Sequence, residues 1–260
     1  MTLEFFEAVD TGRARTNNED SVCIDEGVSL AVLADGMGGY NAGEVASNMA
    51  TSFIRTELGR WLREASSGAT DTEVRRAMDI CVDNANRAIF NAANSNPQYA
   101  GMGTTLVVAV FRAGRLLLGH VGDSRAYQLR DKRLTQATHD HSLLQKQIDA
   151  GLITTEQTSF SANKNLVTRA VGVEDTVLLE THVHEIMPGD IYLLCSDGLS
   201  DMLDDESIGQ LLQAQPTLAA AGAALIDAAN DAGGKDNIAV ILARVSGAPA
   251  PARSWWPFKR

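Results

Sequence analysis

Residues 29–36, SLAVLADG, are the stretch on which the fold turns. A short apolar run bounded by turn residues reads as a buried strand, and this one delivers a carboxylate, Asp35, as it leaves the core. The same construction recurs in LLLGHVGDS at residues 116–124, carrying Asp123, and in IYLLCSDG at residues 191–198, carrying Asp197. A further acid, Asp236 in GGKDN, stands before the last apolar run, and Arg15, Glu19 and Asp20 lie near the start. Carboxylates are therefore gathered from distant segments. Anions brought together repel one another and are costly to desolvate, and a bound cation is the usual remedy. The first inference is a metal site built of oxygen ligands.

Working outward, residues 2–10 and 21–35 read as strands, the latter pair meeting at a turn around Glu26 and Gly27. Two amphipathic helices follow. One runs from about Gly43 to Glu64, with Val45, Met49, Phe53, Leu58 and Leu62 near helical spacing. The other runs from about Asp71 to Asn91, with Val74, Met78, Val82 and Ile89, an N-cap at Thr70 or Asp71, and Pro97 closing the helical region. Strands return at residues 103–112, 115–123 and 124–131 as a meander, with AGR and DKR as hairpin turns. Residues 137–175 are less regular, with a short helix near Ser142–Ala150 and a polar stretch from Thr154 to Asn165 that suits a lid or binding loop. Strands at 177–184 and 190–196, two helices within 205–231 and a strand at 238–245 complete the chain. No regular βαβ alternation is present, which predicts the α+β class, antiparallel sheets covered by helices.

The formal charge of −11 argues against unspecific binding to nucleic acid, which needs clustered Lys and Arg. No apolar stretch reaches the roughly 20 residues of a membrane helix, and the acidic start lacks the features of a signal peptide. The expectation is a cytoplasmic protein. Cys23, Cys81 and Cys195 are odd in number and lie within apolar patterns, which predicts buried, inert thiols.

Read singly, each motif is modest, because an Asp at a strand end is commonly a turn former. The ordered set is not modest: RTNNED from Arg15, ADGMGG from Ala34, GMGTT from Gly101, VGDSR from Val121, THDHSL from Thr138, TRAVG from Thr168, CSDGL from Cys195 and KDN from Lys235. With these residues the chain resembles the metal-dependent protein phosphatases, the type 2C Ser/Thr phosphatases, particularly compact bacterial members, over about residues 5–245. The resemblance implies a four-layer αββα sandwich, two central antiparallel sheets flanked by helices. It implies a phosphatase domain over residues 1–246, followed at 247–260 by a Pro/Ala then Trp/basic tail. That tail reads as a mobile terminus, or as a docking segment through Trp255, Trp256, Phe258, Lys259 and Arg260.

The resemblance also implies the chemistry. Two Mn²⁺ or Mg²⁺ ions about 4 Å apart can activate water and hold both ends of an in-line displacement, and such ions favour oxygen ligands. Asp35 would bridge them, Asp197 and Asp236 would complete one site, and the Gly36 carbonyl with Glu19, through water, would serve the other. Asp20 would hold coordinated water, and Asp123 with Asp197 would bind a third, weaker ion. A bridging hydroxide would attack the phosphoryl group of a phosphoserine or phosphothreonine protein. Arg15 takes the phosphate-binding position, where a planar, permanently charged fork suits two phosphate oxygens; Arg13 lacks the matching spacing. The segment from about Thr138 to Val171 corresponds to a flap beside the site. One departure is Met37, which replaces the histidine proposed as the acid in some relatives and leaves the general acid unassigned.

His139 and His141 read as structural, and His182 and His184 as a surface pair on one strand face. A serine hydrolase using Ser124 lacks a histidine after His184. A phosphoprotein-binding pseudophosphatase predicts missing ligands, yet Glu19, Asp20, Asp35, Asp197 and Asp236 are all present. A partner-specific signalling regulator on the same fold stays open. The partners expected are phosphoproteins, with a cognate Ser/Thr kinase or its substrates among them, and the chain is expected to act as a monomer.

Overall fold

A computed structural model describes residues 1–39, 42–65, 68–153 and 166–247. The chain begins with β1 (Thr2–Asp10), β2 (Asp20–Asp25) and β3 (Leu30–Met37), then α1 (Ala42–Glu64) and α2 (Asp71–Ser95). Strands β4 (Gly103–Thr104), β5 (Leu106–Arg112), β6 (Arg115–Val121), β7 (Arg125–Arg130) and β8 (Arg133–Gln136) follow. After α3 (Leu143–Asp149) come β9 (Glu180–Glu185), β10 (Ile191–Cys195), the one-turn α4 (Asp197–Ser200), α5 (Asp205–Ala214), α6 (Leu218–Asp231) and β11 (Ile238–Ser246).

Two antiparallel sheets form, ordered β1-β11-β10-β7-β8 and β2-β3-β5-β6-β9, with β4 beside β3. Side chains on the two faces of each sheet alternate, so three apolar cores arise from one alternating pattern. Val32, Val108 and Leu117 face α1 and α2, meeting Ile54, Leu58, Met78 and Ile89. Leu33, Val107, Leu118, Tyr192 and Ile241 fill the space between the sheets. Leu193, Val240 and Leu242 pack on Leu212 and Leu225 of α5 and α6. The layers are helix, sheet, sheet, helix, as expected from the sequence.

The cap of α2 is a capping box: Thr70 accepts from the Glu73 amide while Glu73 accepts from the Thr70 amide. The helix runs past Asn91 to Ser95, since Asn94 and Ser95 bond back to the carbonyls of Phe90 and Asn91. The expected meander is corrected. β5 and β6 form a hairpin and so do β7 and β8, but β6 and β7 belong to different sheets. The chain crosses between them at Gly122–Ser124, where Gly122 adopts φ +103° and a Cβ would strike Thr105 at 2.7 Å. The strand expected from residue 177 starts at Glu180, opposite His120, because β6 ends one residue later. The polar stretch from Thr154 to Asn165 and the tail from residue 248 lie outside the described residues.

Candidate metal centre

Both sheets contribute acids to one end of the sandwich. Asp20, first in β2, pairs across the ladder with Asp35 near the end of β3. The backbone of Asp35 is clasped by threonines: its amide donates to Thr105 Oγ1 at 3.0 Å, and its carbonyl accepts from the Thr105 amide and Thr104 Oγ1, both at 2.8 Å. Asp197 follows β10 of the other sheet, and Asp236 precedes β11. Burial first, then the neighbouring acids Asp20 and Asp197, hold the Asp35 carboxyl well above the usual carboxylate range. Burial, then Asp123, Asp201 and Asp236, does the same at Asp197. Burial also lifts Asp20 to about 7 and Asp123, with Asp140 as its next cause, to about 6.

Three glycines let these segments touch. A Cβ on Gly36 would lie 2.2 Å from the Gly43 carbonyl oxygen, one on Gly43 2.5 Å from Glu19 Oε2, and one on Gly198 1.9 Å from the Asn237 carbonyl oxygen. Asn237 ties the two ends of the chain together. Its Nδ2 donates to the carbonyls of Thr11 and Asn17 at 3.0 and 2.8 Å, and its Oδ1 accepts from the Glu19 amide at 2.8 Å. Ser196 Oγ donates to Asp20 Oδ2 at 2.7 Å. The other oxygen, Asp20 Oδ1, is buried without a hydrogen-bond partner.

Arg15 reaches into this group, its Nη2 2.6 Å from Asp236 Oδ2, and its side chain stays half exposed. Arg13 is held by its backbone, donating to the Gly234 carbonyl at 2.7 Å. The donors are carboxylate and carbonyl oxygens, they raise one another's affinity for protons, and one buried oxygen is unsatisfied. This is the donor set of a hard divalent cation.

Residues 12–243 match the family described as Protein phosphatase 2C. This chain belongs to that family. It is 37% identical over 245 residues to the serine/threonine phosphatase stp of Listeria monocytogenes, covering 93% of this chain and 95% of that one. It is 40% identical over 248 residues to the serine/threonine protein phosphatase PstP of Mycobacterium tuberculosis, covering 94% of this chain but 45% of that longer relative. The crystal structure of Mycobacterium tuberculosis PstP superposes with a TM-score of 0.86 at 38% identity, over 95% of this chain and all of that one. The catalytic domain of PstP has also been solved in complex with two manganese ions, at 39% identity and a TM-score of 0.82, over 94% and 99% of the two chains.

Within this protein phosphatase 2C chain, the sequence-derived residues Glu19, Asp20, Asp35, Gly36, Asp197 and Asp236 are tied together by the contacts above, and Arg15 joins them. Asp123 stands at the crossing between sheets and acts electrostatically on Asp35 and Asp197. Sequence reading missed the framing residues Thr104, Thr105, Ser196 and Asn237, although all four lie inside the quoted motifs. Met37 pairs with Gly103, an apolar neighbour of the acids. Ser124 is buried and shares a hydroxyl hydrogen bond with Thr105 at 2.7 Å, with no histidine base on it.

His182 and His184 differ from expectation. His139 is exposed and meets Asp149, as a structural residue would. His141 is buried, while His182 and His184 are half buried, because their strand face turns toward the gap between the sheets. The three thiols are free, and burial pushes Cys23 and Cys195 up to about 12 and Cys81 to about 11.

Proposed function

We propose that residues 1–246 form the catalytic domain of a Mn²⁺- or Mg²⁺-dependent phosphatase acting on phosphoserine and phosphothreonine proteins, opposing a Ser/Thr kinase. The observation that carries this reading is the buried set Asp20, Asp35 and Asp197, whose carboxyls are held above their usual range by burial and by one another. Asp35 would serve both of two ions, with Asp197 and Asp236 on one and the Gly36 carbonyl and Glu19 on the other. When bound, the ions supply a nucleophilic water at neutral pH and charge that offsets the developing negative charge of in-line phosphoryl transfer. Asp20, fixed by Ser196, orients water in that shell. Asp123 would hold a third, weaker ion together with Asp197.

Arg15 binds the phosphate. Its guanidinium rests on Asp236, so it is stored beside the site with its charge balanced, and it turns to two phosphate oxygens once the Asp236 carboxylate is otherwise engaged. Met37, two residues after Asp35, holds no transferable proton, so water in the site would be the general acid for the leaving alkoxide. Among the described residues no helix is long and apolar enough to cross a membrane, which accords with a cytoplasmic enzyme.

The test is phosphate release from a phosphothreonine peptide after chelation, with Mn²⁺, Mg²⁺ or Ca²⁺ added back, beside Asp35→Asn. The expected result is restoration by Mn²⁺ or Mg²⁺ and silence in the variant. A folded protein inactive in every metal would point to a phosphoprotein-binding pseudoenzyme instead.

A further inference from the structure

Four of the chain's five histidines, His120, His141, His182 and His184, lie ring beside ring where β6 meets β9. They are a second group of metal donors, different in kind from the aspartates. Donor atoms of His120, His141 and Glu180 all lie within 4.8 Å of one another. His120 supplies an independent observation. Its ring is fully buried, and its Nε2 lies 2.8 Å from the His139 carbonyl. A carbonyl only accepts, so Nε2 carries the proton and Nδ1 is a bare lone pair. That Nδ1 is buried with no hydrogen-bond partner. A ligating histidine ordinarily donates its other N–H to a carbonyl or carboxylate, and His120 is already set in that state.

We propose that His120, His141 and Glu180, with His182 as a fourth donor, form a binding site for a zinc-class divalent cation, separate from the aspartate centre. Donor atoms around tetrahedral zinc stand roughly 3.3–3.4 Å apart, given zinc–nitrogen distances near 2.0–2.1 Å. Glu180 Oε2 is 3.1 Å from His141 Nε2, and Glu180 Oε1 is 2.9 Å from His182 Nε2. These two spacings need little change. The rings of His120 and His141, now parallel within 9° at 4.7 Å, must tilt toward each other to bring in Nδ1 of His120.

Two hydrogen bonds join His141 to the turn that carries Asp123. The His141 amide donates to the Gly122 carbonyl at 2.9 Å, and the Gly122 amide donates to His141 Nδ1 at 3.1 Å, which leaves the His141 ring proton on Nε2, facing Glu180. Ligation through Nε2 moves that proton to Nδ1, where it meets the Gly122 N–H and ends the second of these bonds. Arg169, whose Nη1 lies 3.0 Å from the same Nε2, must also swing aside. Filling the histidine site therefore loosens the turn that carries Asp123, and the ion acts as an inhibitor. The inhibitory limb rests on the phosphatase reading; the binding limb does not.

The experiment uses the whole chain, stripped with a chelator and then saturated with Mg²⁺, which occupies oxygen sites and leaves nitrogen donors free. Zn²⁺ is titrated calorimetrically and Co²⁺ by the visible absorption of its nitrogen-ligated form. One Zn²⁺ per chain is expected, with affinity at least about tenfold lower in Glu180→Gln and His120→Phe and unchanged in Asp35→Asn. Equal affinity in Glu180→Gln, loss only in Asp35→Asn, or no zinc binding at all overturns the site. Zn²⁺ should also slow Mg²⁺-supported hydrolysis of p-nitrophenyl phosphate in the wild type and not in Glu180→Gln. Full zinc occupancy with undiminished turnover overturns the link to Asp123. If Mg²⁺ supports no turnover, that failure belongs to the phosphatase reading, and the binding data still decide the site.

Discussion

Replacing Asn237 with alanine tests whether the centre is held by a side chain that touches neither metal nor substrate. Asn237 is 6% exposed and makes the three hydrogen bonds described above, to Thr11, Asn17 and Glu19. A hydrogen bond contributes about 0.5–1.5 kcal/mol net, and a buried group left without a partner costs more, so the three together are worth about 3 kcal/mol. With a urea slope near 3 kcal/mol/M, the unfolding midpoint should fall by about 1 M. The catalytic consequence is separate from this loss. Releasing the Glu19 amide and the Asn17 carbonyl frees the segment that carries Arg15, Glu19 and Asp20, and a displacement of about 1 Å can cost roughly a hundredfold in rate. The paired measurements are urea unfolding and Mn²⁺-dependent phosphopeptide turnover, with Asn237→Asp alongside. Asp keeps the acceptor for Glu19 but sets a carboxylate against two carbonyls in an acidic centre, so it should do no better than alanine. A midpoint lowered by less than about 0.3 M, with metal dependence unchanged, would refute the reasoning.

The ion-free protein should lose stability as pH rises from about 4 to 8. Asp20 has a folded-state value of about 7, above its unfolded value, so the folded state binds more protons in that window and is favoured at its acid end. Asp35 and Asp197 shift in the same direction, and thermal melts in chelator against melts in Mn²⁺ should show the slope largely removed by the ion. Arg15→Ala should raise KM for phosphopeptide about tenfold or more while leaving Mn²⁺ affinity close to wild type, and Arg15→Lys should recover only part, because a point charge cannot pair two oxygens; equal kinetics in all three would remove Arg15 from phosphate binding. Cys23, Cys81 and Cys195 should resist a thiol reagent in the native state and react together on unfolding, since a thiol near 11 or 12 is about a thousandth or less thiolate at pH 8. Thr70→Ala removes the capping box of α2 and should cost about 1 kcal/mol in urea unfolding.

Asp35, Asp123 and Asp197 were legible because each sits where an apolar run stops, and Asp236 because it stands before one; continuous apolar runs bounded by turn residues, such as Leu30–Ala34 and Ile191–Cys195, announce buried strands without help from tertiary context. Helix α1 was legible from its apolar spacing and α2 from both spacing and cap. Sheet membership was not. The runs on either side of Gly122–Ser124 look like one continuing meander, and only the left-handed turn at Gly122, closed by Thr105, sends the second into the other sheet. The framing residues were hidden for a related reason: Thr105 and Asn237 act on backbone groups 70 and 218 positions away, at Asp35 and Glu19. Local pattern carries no trace of such partners. His182 and His184 misled because period two fixes which side of a strand they share but not whether that side faces solvent or the neighbouring sheet.

The pairing of β1 with β11 has a consequence for the chain as it is made. Thr2 lies opposite Ser246 and Asp10 opposite Ile238, so the first strand waits for the last before it has a partner. Arg15, Glu19 and Asp20 leave the ribosome more than 200 residues ahead of Asp236. Until that strand emerges, the early residues have neither the Asn237 clasp nor the acids of the second sheet. A nascent chain, or one clipped before β11, is therefore without its centre, and assembly of the site reports that synthesis has passed β11.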